Sequence, residues 1–246
     1  MKKVLMVDVG GSNVKMMAAG HEGFRKFPSN DKLTAAQMVK GVLEATTDWE
    51  YEAISLGFPG LVVEGKPARN PLNLGGGWVG FDFKKAFKRP VHIINDAAMQ
   101  ALANYRGGRM LFVGLGTSIG ATLIVDDTII PMEVGLLRLT KTVGFADRLC
   151  KASRDKIGHR LWEKAVWKAV FYLRDCFWPE DVVIGGGNAK TLLEIPAGCR
   201  RGDNQDTFKG ARRLWPGADV VAVPQVTSWR LEWKEKQKPK KATAKK

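Results

Sequence analysis

Residues Val4 to Val9 form an apolar run interrupted only by Asp8, and a second run, Val14 to Ala19, follows Gly-Gly-Ser-Asn. Two short apolar runs around a Gly-rich turn predict a β-hairpin, and FRKF at 24–27 predicts a third strand. TAAQMVKGVLEAT changes period. Met38, Val39, Val42 and Leu43 recur at helical spacing behind Thr34, a residue type that caps helix N-termini. YEAISLGFPG reads as a buried strand closed by a Gly/Pro turn. LVVEGKPARNPLNLGGGWVG is rich in Gly, Pro and Asn and reads as a long loop, a kind of segment that often carries function. VHIIND is a strand and AAMQALANY a helix, so strands separated by helices predict an α/β architecture.

The second half of the chain resembles the first. MLFVGLGTSIGATLIVDD can be laid beneath the opening at an offset of 106, placing Val113 on Val7, Gly116 on Gly10 and Ser118 on Ser12. A repeated hairpin predicts duplicated units that face each other. We place them at 1–106 and 107–204, with a helix near 205–216 joining the first. LWEKAVWKAVFYLRDCF carries Leu161, Val166, Val170 and Leu173 at helical spacing, and DVVIGGGNAKTL reads as a strand, three glycines and a helix start. ADVVAVPQV is one extra strand. The extension 217–246 ends in a tail whose composition favours disorder, with at most a short helix around Trp229–Lys236.

Composition narrows the partners. The formal charge is +14, but residues 229–246 hold eight Lys or Arg against two Glu, leaving +8 for residues 1–228. The tail reads as a solvated extension rather than a nucleic-acid or membrane-surface arm, and the remaining excess suits a polyanionic ligand such as a nucleotide or a phosphate polymer. No apolar run is long enough to span a membrane. Cys150, Cys176 and Cys199 are odd in number and unpaired in spacing, which predicts a reduced, cytoplasmic chain with no disulfide framework and no zinc. His21, His92 and His159 lack metal spacing and read as packing residues. Trp162, Trp167 and Trp178 read as core or interface, and the apolar helix faces leave room for a homodimer.

The turns carry the chemistry. Glycines let the backbone approach an anion, so that consecutive N–H groups point at phosphate oxygens. Gly10, Gly11 and Ser12 in one turn and Gly116, Thr117 and Ser118 in the other fit that demand, and Lys15 would add a charge. Asp8 stands where a hydrated magnesium ion would bridge phosphates. There is no GxxxxGK[ST], so this is not a Walker loop. Each turn alone is weak evidence, since Gly-Gly at a hairpin is most often just a turn, which Asp8 could simply cap. The pair, with Gly185, Gly186 and Gly187 as a third Gly-rich turn, favours phosphate binding. Asp96 sits where a strand meets a helix. It is a good helix cap there, and beside phosphate turns it is also a natural general base for a hydroxyl attacking phosphorus. Asn95 would fix the hydroxyls of the same substrate.

Taken in order, DVGGSNVK, GFPG…NLGGGW, INDAAMQAL, GLGTSIGATLIVD, PMEVG and VIGGGNAK resemble the ROK family of sugar kinases and repressors, and most of all its compact branch of polyphosphate glucokinases. The resemblance runs from about residue 3 to Trp215. It implies an actin-like, ribonuclease H-like duplicated fold of two α/β domains around a central cleft. It also implies a kinase that moves a phosphoryl group from ATP or polyphosphate, with Mg2+, to a hexose, first of all to the 6-hydroxyl of glucose. On that resemblance Asp8, Gly10, Gly11 and Ser12 form the first phosphate motif and Gly116, Thr117 and Ser118 the second. Asp96 is the base, Asn73, Asn95 and Glu133 hold the sugar, and Gly185–Gly187 lie against the nucleoside. One departure stands out. Leu136 occupies the place of a family histidine that holds the sugar, which keeps open a second reading, a non-catalytic sugar or nucleotide sensor.

Overall fold

The computed structural model describes residues 3–202 and 207–234. Strands β1 (Val4–Val9) and β2 (Asn13–Ala18) form the predicted hairpin, and β3 (Arg25–Pro28) continues it. Helix α1 (Ala35–Ala45) begins at Thr34, whose side chain accepts from the Gln37 N–H while the Gln37 side chain accepts from the Thr34 N–H. This reciprocal cap satisfies two otherwise orphaned donors. β4 (Ala53–Phe58) and β7 (Val91–Asn95) lie parallel beyond β1, giving a five-stranded sheet in the order β3-β2-β1-β4-β7. Between them run a small hairpin, β5 (Val62–Val63) and β6 (Lys66–Pro67), and the short helix α2 (Phe83–Phe87). The loop between is anchored by fully buried Trp78, whose backbone N–H donates to Asn70 Oδ1 at 3.1 Å.

The second sheet repeats this plan. β8 (Met110–Leu115), β9 (Ile119–Val125) and β10 (Thr128–Met132) form an antiparallel meander, and β11 (Asp181–Gly185) and β12 (Cys199–Arg201) add parallel to β8. The order β10-β9-β8-β11-β12 matches that of the first sheet strand for strand. Repetition of both order and direction is the structural counterpart of the repeat in the sequence. Helices α4 (Phe145–Leu149), α5 (Lys151–Ile157) and α6 (His159–Phe177) flank the second sheet.

Alternation along the strands sorts the core into three clusters. Leu5, Val7 and Val9 point to a cluster with α1 and α2, and Leu111, Val113 and Leu115 to one with α4 and α6. The opposite faces, with Val4, Met6, Met110 and Phe112, share a central cluster with α3 (Asp96–Asn104) and α7 (Thr207–Arg212). Because successive strand residues face opposite ways, Asp8 follows Val4 and Met6 toward α3. Helix α3 is buried almost all round, and small residues make that possible. A side chain at Gly120 would come within 2.9 Å of the Ala97 Cβ, and one at Gly210 within 3.1 Å of the Ala103 Cβ. Beside it, α7 delivers the Ala211 carbonyl to the Ser55 hydroxyl, which donates at 2.7 Å and itself accepts from Trp215 Nε1 at 2.8 Å.

The C-terminal extension corrects the reading of the sequence. β13 (Val220–Pro224) is the expected extra strand, but Trp229–Trp233, assigned at most a short helix, is a strand, β14. It pairs with β13 and with the free edge of β10, extending the second sheet to seven strands. Arg230 and Glu232 face outward while Trp229 and Leu231 are buried in the central cluster. The disorder expected of the tail falls on residues 235–246, which lie outside the described residues. The stretch after Gly187 makes only a single 3-10 turn, Ala189–Thr191, in place of the predicted helix start.

Candidate active site

The two hairpin turns face each other. The Ser12 and Thr117 hydroxyls lie 3.3 Å apart, within hydrogen-bond reach across 105 positions of sequence. They are not identical turns. Gly10 N–H closes the first on the Asn13 carbonyl at 3.0 Å, whereas Gly116 N–H closes the second on the Ser118 carbonyl at 2.9 Å. The second is therefore one residue shorter, and Leu115 pairs with Ile119 where Val9 pairs with Val14. The sequence offset holds on the outgoing strands and slips by one on the return, so Ser118 matches Asn13 rather than Ser12.

Gly11 is hemmed in by both halves of the molecule. A Cβ there would lie 3.3 Å from Asn73 Cβ and 3.8 Å from the Thr117 methyl. Asn73, from the long loop, is thus placed against the first turn. Lys15 lies opposite Asp8 in the β1–β2 register, on the same face, with its ammonium end exposed. The third turn abuts the second: Gly186, with φ of +83°, has no room for a side chain against the Leu115 backbone, and Gly185 none against the Phe112 ring. Gly187 is open and exposed. Two of the three glycines are thereby explained by close approach, which only glycine permits.

Asp8 and Asp96 converge over Gly57, the residue paired with Asp8 on β4. A Cβ at Gly57 would stand 3.6 Å from Asp8 Oδ1 and 3.5 Å from Asp96 Cα, and would strike the Met99 side chain. Glycine there leaves room for the Met99 side chain to pack beside the two acids. Burial pushes the Asp96 carboxyl up to about 7, with repulsion first from Asp8 and then from Glu133 adding to it, while the 2.8 Å hydrogen bond from its neighbour's N–H, at Ala97, pulls the other way. Burial also raises Asp8, opposed by the charge of Lys15. Glu133 follows β10, is exposed, and is close enough for its charge to be felt at Asp96.

The helix cap belongs to the other member of the Asn95–Asp96 pair. Asn95 is the N-cap of α3: its Oδ1 accepts from Ala98 N–H at 3.1 Å, and its Nδ2 donates to the Gly60 carbonyl at 3.2 Å. Asn95 thus takes the N-cap position, with Asp96 in the first turn accepting from the adjacent Ala97 N–H, and the amide expected to contact sugar is engaged at both ends by the protein. Leu136, three residues beyond Glu133, is 82% exposed. The histidines pack as expected: His21 stacks on Trp49, His92 meets the edge of Trp215, and His159 Nε2 contacts the Thr191 carbonyl. Trp162 is fully buried, whereas Trp178 is 77% exposed.

Three residues near the turns escaped the reading of the sequence. Gly57 stood within GFPG, a run read as a turn and as one of the ordered motifs, with no role given to Gly57 itself. Asn188 stood within IGGGNAK but had no reason to be separated from its glycines. Arg154, from α5, had no sequence signal, yet its guanidinium reaches Asn188.

The chain has the actin-like, ribonuclease H-like α/β fold, and solved ROK family proteins share it. An inorganic polyphosphate/ATP-glucomannokinase from Arthrobacter sp. strain KM aligns over 86% of this chain and 97% of its own, with a TM-score of 0.72 and 20% identity. A ROK family glucokinase from Streptomyces griseus, solved with glucose and AMPPNP, aligns over 86% and 98% with a TM-score of 0.65 and 15% identity. A ROK family transcriptional regulator, a homologue of the E. coli MLC protein, aligns over 85% and 76% with a TM-score of 0.61 and 15% identity. No family model and no curated protein matches the chain by sequence. Among the described residues no helix is long and apolar enough to cross a membrane.

Proposed function

We propose that this protein is a ROK-type sugar kinase that transfers the terminal phosphoryl group of ATP or polyphosphate to a hexose hydroxyl, with the 6-hydroxyl of glucose as the first candidate acceptor. The observation that carries the reading is the position of Asp96. It is a carboxylate raised toward neutrality, outside the N-cap position that Asn95 holds, and set beside Asp8 near two glycine turns that meet face to face. In this scheme Asp96 accepts the hydroxyl proton as the sugar oxygen bonds to phosphorus and the bond to the departing phosphate chain breaks. The turn amides and hydroxyls of Gly11, Ser12, Thr117 and Ser118 hold the donor's oxygens. Asn73 and Glu133 are offered as sugar contacts, with Asn95 now assigned to hold the helix start that presents Asp96.

Magnesium fits the residues present. Asp8 and Asp96 concentrate negative charge at one point, with Lys15 as the cation acting on Asp8. Among the described residues no three His, Cys, Asp or Glu side chains group to hold a metal. Asp8 would hold a hard cation that arrives with the phosphates and keeps its waters, through one of those waters. When bound, it would neutralise the charge of the transferring phosphates.

Incubating the protein and Mg2+ with a hexose panel and either ATP or polyphosphate should give a sugar phosphate detectable by mass. Absence of product with every pair would reject the reading. The sensor alternative rests on Leu136, which offers no imidazole to a sugar; a ligand-induced rise in Tm without product would favour it. A second outcome concerns Asp8. Its charge helps to raise Asp96, so in Asp8→Asn the acid limb of the pH–rate profile should move to lower pH, on top of any loss of rate. An unmoved limb would separate the two acids.

A further inference from the structure

Behind the second turn lies a network that the proposed chemistry does not use. Asn188 is buried, and its Nδ2 donates to the Gly116 carbonyl at 2.7 Å while its own N–H donates to the Leu115 carbonyl at 2.8 Å. Its Oδ1 accepts from Arg154 Nη1 at 3.1 Å. The same nitrogen donates to Thr191 Oγ1 at 3.1 Å, and the Thr191 hydroxyl donates back to the Asn188 carbonyl at 2.8 Å. The guanidinium lies over Trp162 and pairs with Asp155 at 3.3 Å.

The network has a direction. An arginine can only donate, so Asn188 must turn its oxygen to Arg154 and its NH2 to Gly116. The Gly116 carbonyl is therefore held toward Asn188. In a planar trans peptide, the C=O of one residue and the N–H of the next point in opposite directions. Pinning Gly116 O on this side aims the Thr117 N–H at the other, away from the third turn. Among the described residues that N–H has no hydrogen-bond partner. The Thr117 side chain faces the first turn, at Ser12.

We infer that Asn188, oriented by Arg154, is a positioning residue that fixes the peptide between Gly116 and Thr117 so that the Thr117 amide serves as a donor to the phosphate chain. The inference rests on the reading of the two turns as the phosphate-donor site. It assigns to two side chains a role exerted through the turn, and it makes the Gly116–Thr117 peptide the element they hold in one of two orientations.

Asn188→Asp is the decisive variant. It preserves size and the pairing with Arg154 but sets an oxygen against the Gly116 carbonyl, favouring the flipped peptide. Asn188→Ala removes the donor without adding repulsion. Titration calorimetry with inorganic tripolyphosphate and with Mg-AMPPNP, alongside turnover, reads the effect. We expect Asn188→Asp to weaken both ligands by about tenfold to a hundredfold, the worth of one hydrogen bond to a charged group, and Asn188→Ala to weaken them less. The Michaelis constant for the sugar should stay unchanged. A purely packing role predicts the reverse order, because aspartate fills the site and alanine does not; that order would overturn the inference, as would wild-type affinity in both variants. Should Asn188→Asp not fold, Asn188→Ala and Arg154→Met carry the test, with weakened tripolyphosphate binding expected and unchanged binding refuting. If the wild type binds neither phosphate ligand, the donor site itself is wrong and the inference falls with it. Binding by the wild type with no loss in the variants rejects the inference alone.

Discussion

Asp96→Asn is expected to lower sugar-dependent phosphoryl transfer by about 10²–10⁴-fold, the usual contribution of a positioned general base, while making the protein more stable. The two effects have one cause. The carboxylate is raised to about 7 because burial and the nearby charges of Asp8 and Glu133 disfavour its ionised form. In the unfolded chain an aspartate titrates near ~3.9. Between these values the folded state binds a proton that the unfolded state does not, so stability falls as pH rises through that window. Below it both states are protonated and the contribution is fully present. Asparagine carries no charge at any pH, so the Tm of the variant should exceed that of the wild type at about pH 8, and the gap should close toward about pH 4. Wild-type turnover should rise with pH and level off above about 7, an apparent value belonging to the interacting Asp8–Asp96 pair rather than to one residue. A calorimetric and kinetic pH series on both proteins checks all of this. Retained turnover would sink the assignment of the base, whereas a stability gain without loss of turnover would mark Asp96 as a merely strained core carboxylate.

How much of this could be read from the residues depended on whether the signal was local. Apolar runs around Gly-rich turns gave the strands of both hairpins, and helical spacing behind the Thr34 cap gave the start of α1. The order of the Gly-rich motifs gave the fold. The cap of α3 stayed open for a physical reason: Asn and Asp cap helices about equally well, and adjacent in sequence they leave a one-residue ambiguity that the hydrogen bond from Ala98 N–H to Asn95 resolves. Helices α2, α4 and α5, at five to seven residues, are too short to establish a period. The slip between the two turns depends on which carbonyl closes each, information no alignment of glycines contains. Asn188 and Arg154 meet through folding alone, 34 positions apart. The candidate site was thus legible as a set of motifs, and its geometry, including the place of Gly57 beside the two acids, was not.

The C-terminal strand supports the second large effect. WRLEW holds a period of two, Trp229 and Leu231 against Arg230 and Glu232, but it runs straight into a lysine-rich segment whose charge masks it. In the fold Trp229 is 4% exposed. It lies opposite Ile129 of β10 and Pro224 of β13, and its ring is 6.1 Å from His92, a residue of the first sheet. It therefore seals the edge of the central cluster, where both sheets and α3 share one core. Trp229→Ala should cost about 3–5 kcal/mol, the loss typical of emptying a core aromatic site, and lower the midpoint of urea unfolding accordingly. A solvated extension makes a different forecast, since surface substitutions away from special features change stability by at most about 0.5 kcal/mol. The two outcomes differ by several-fold. A near-neutral Trp229→Ala would return residues 217–234 to the status of an appendage. A large loss would make the extension part of the core on which Asp96 is mounted, because the helix that presents Asp96 packs against the same cluster that Trp229 closes.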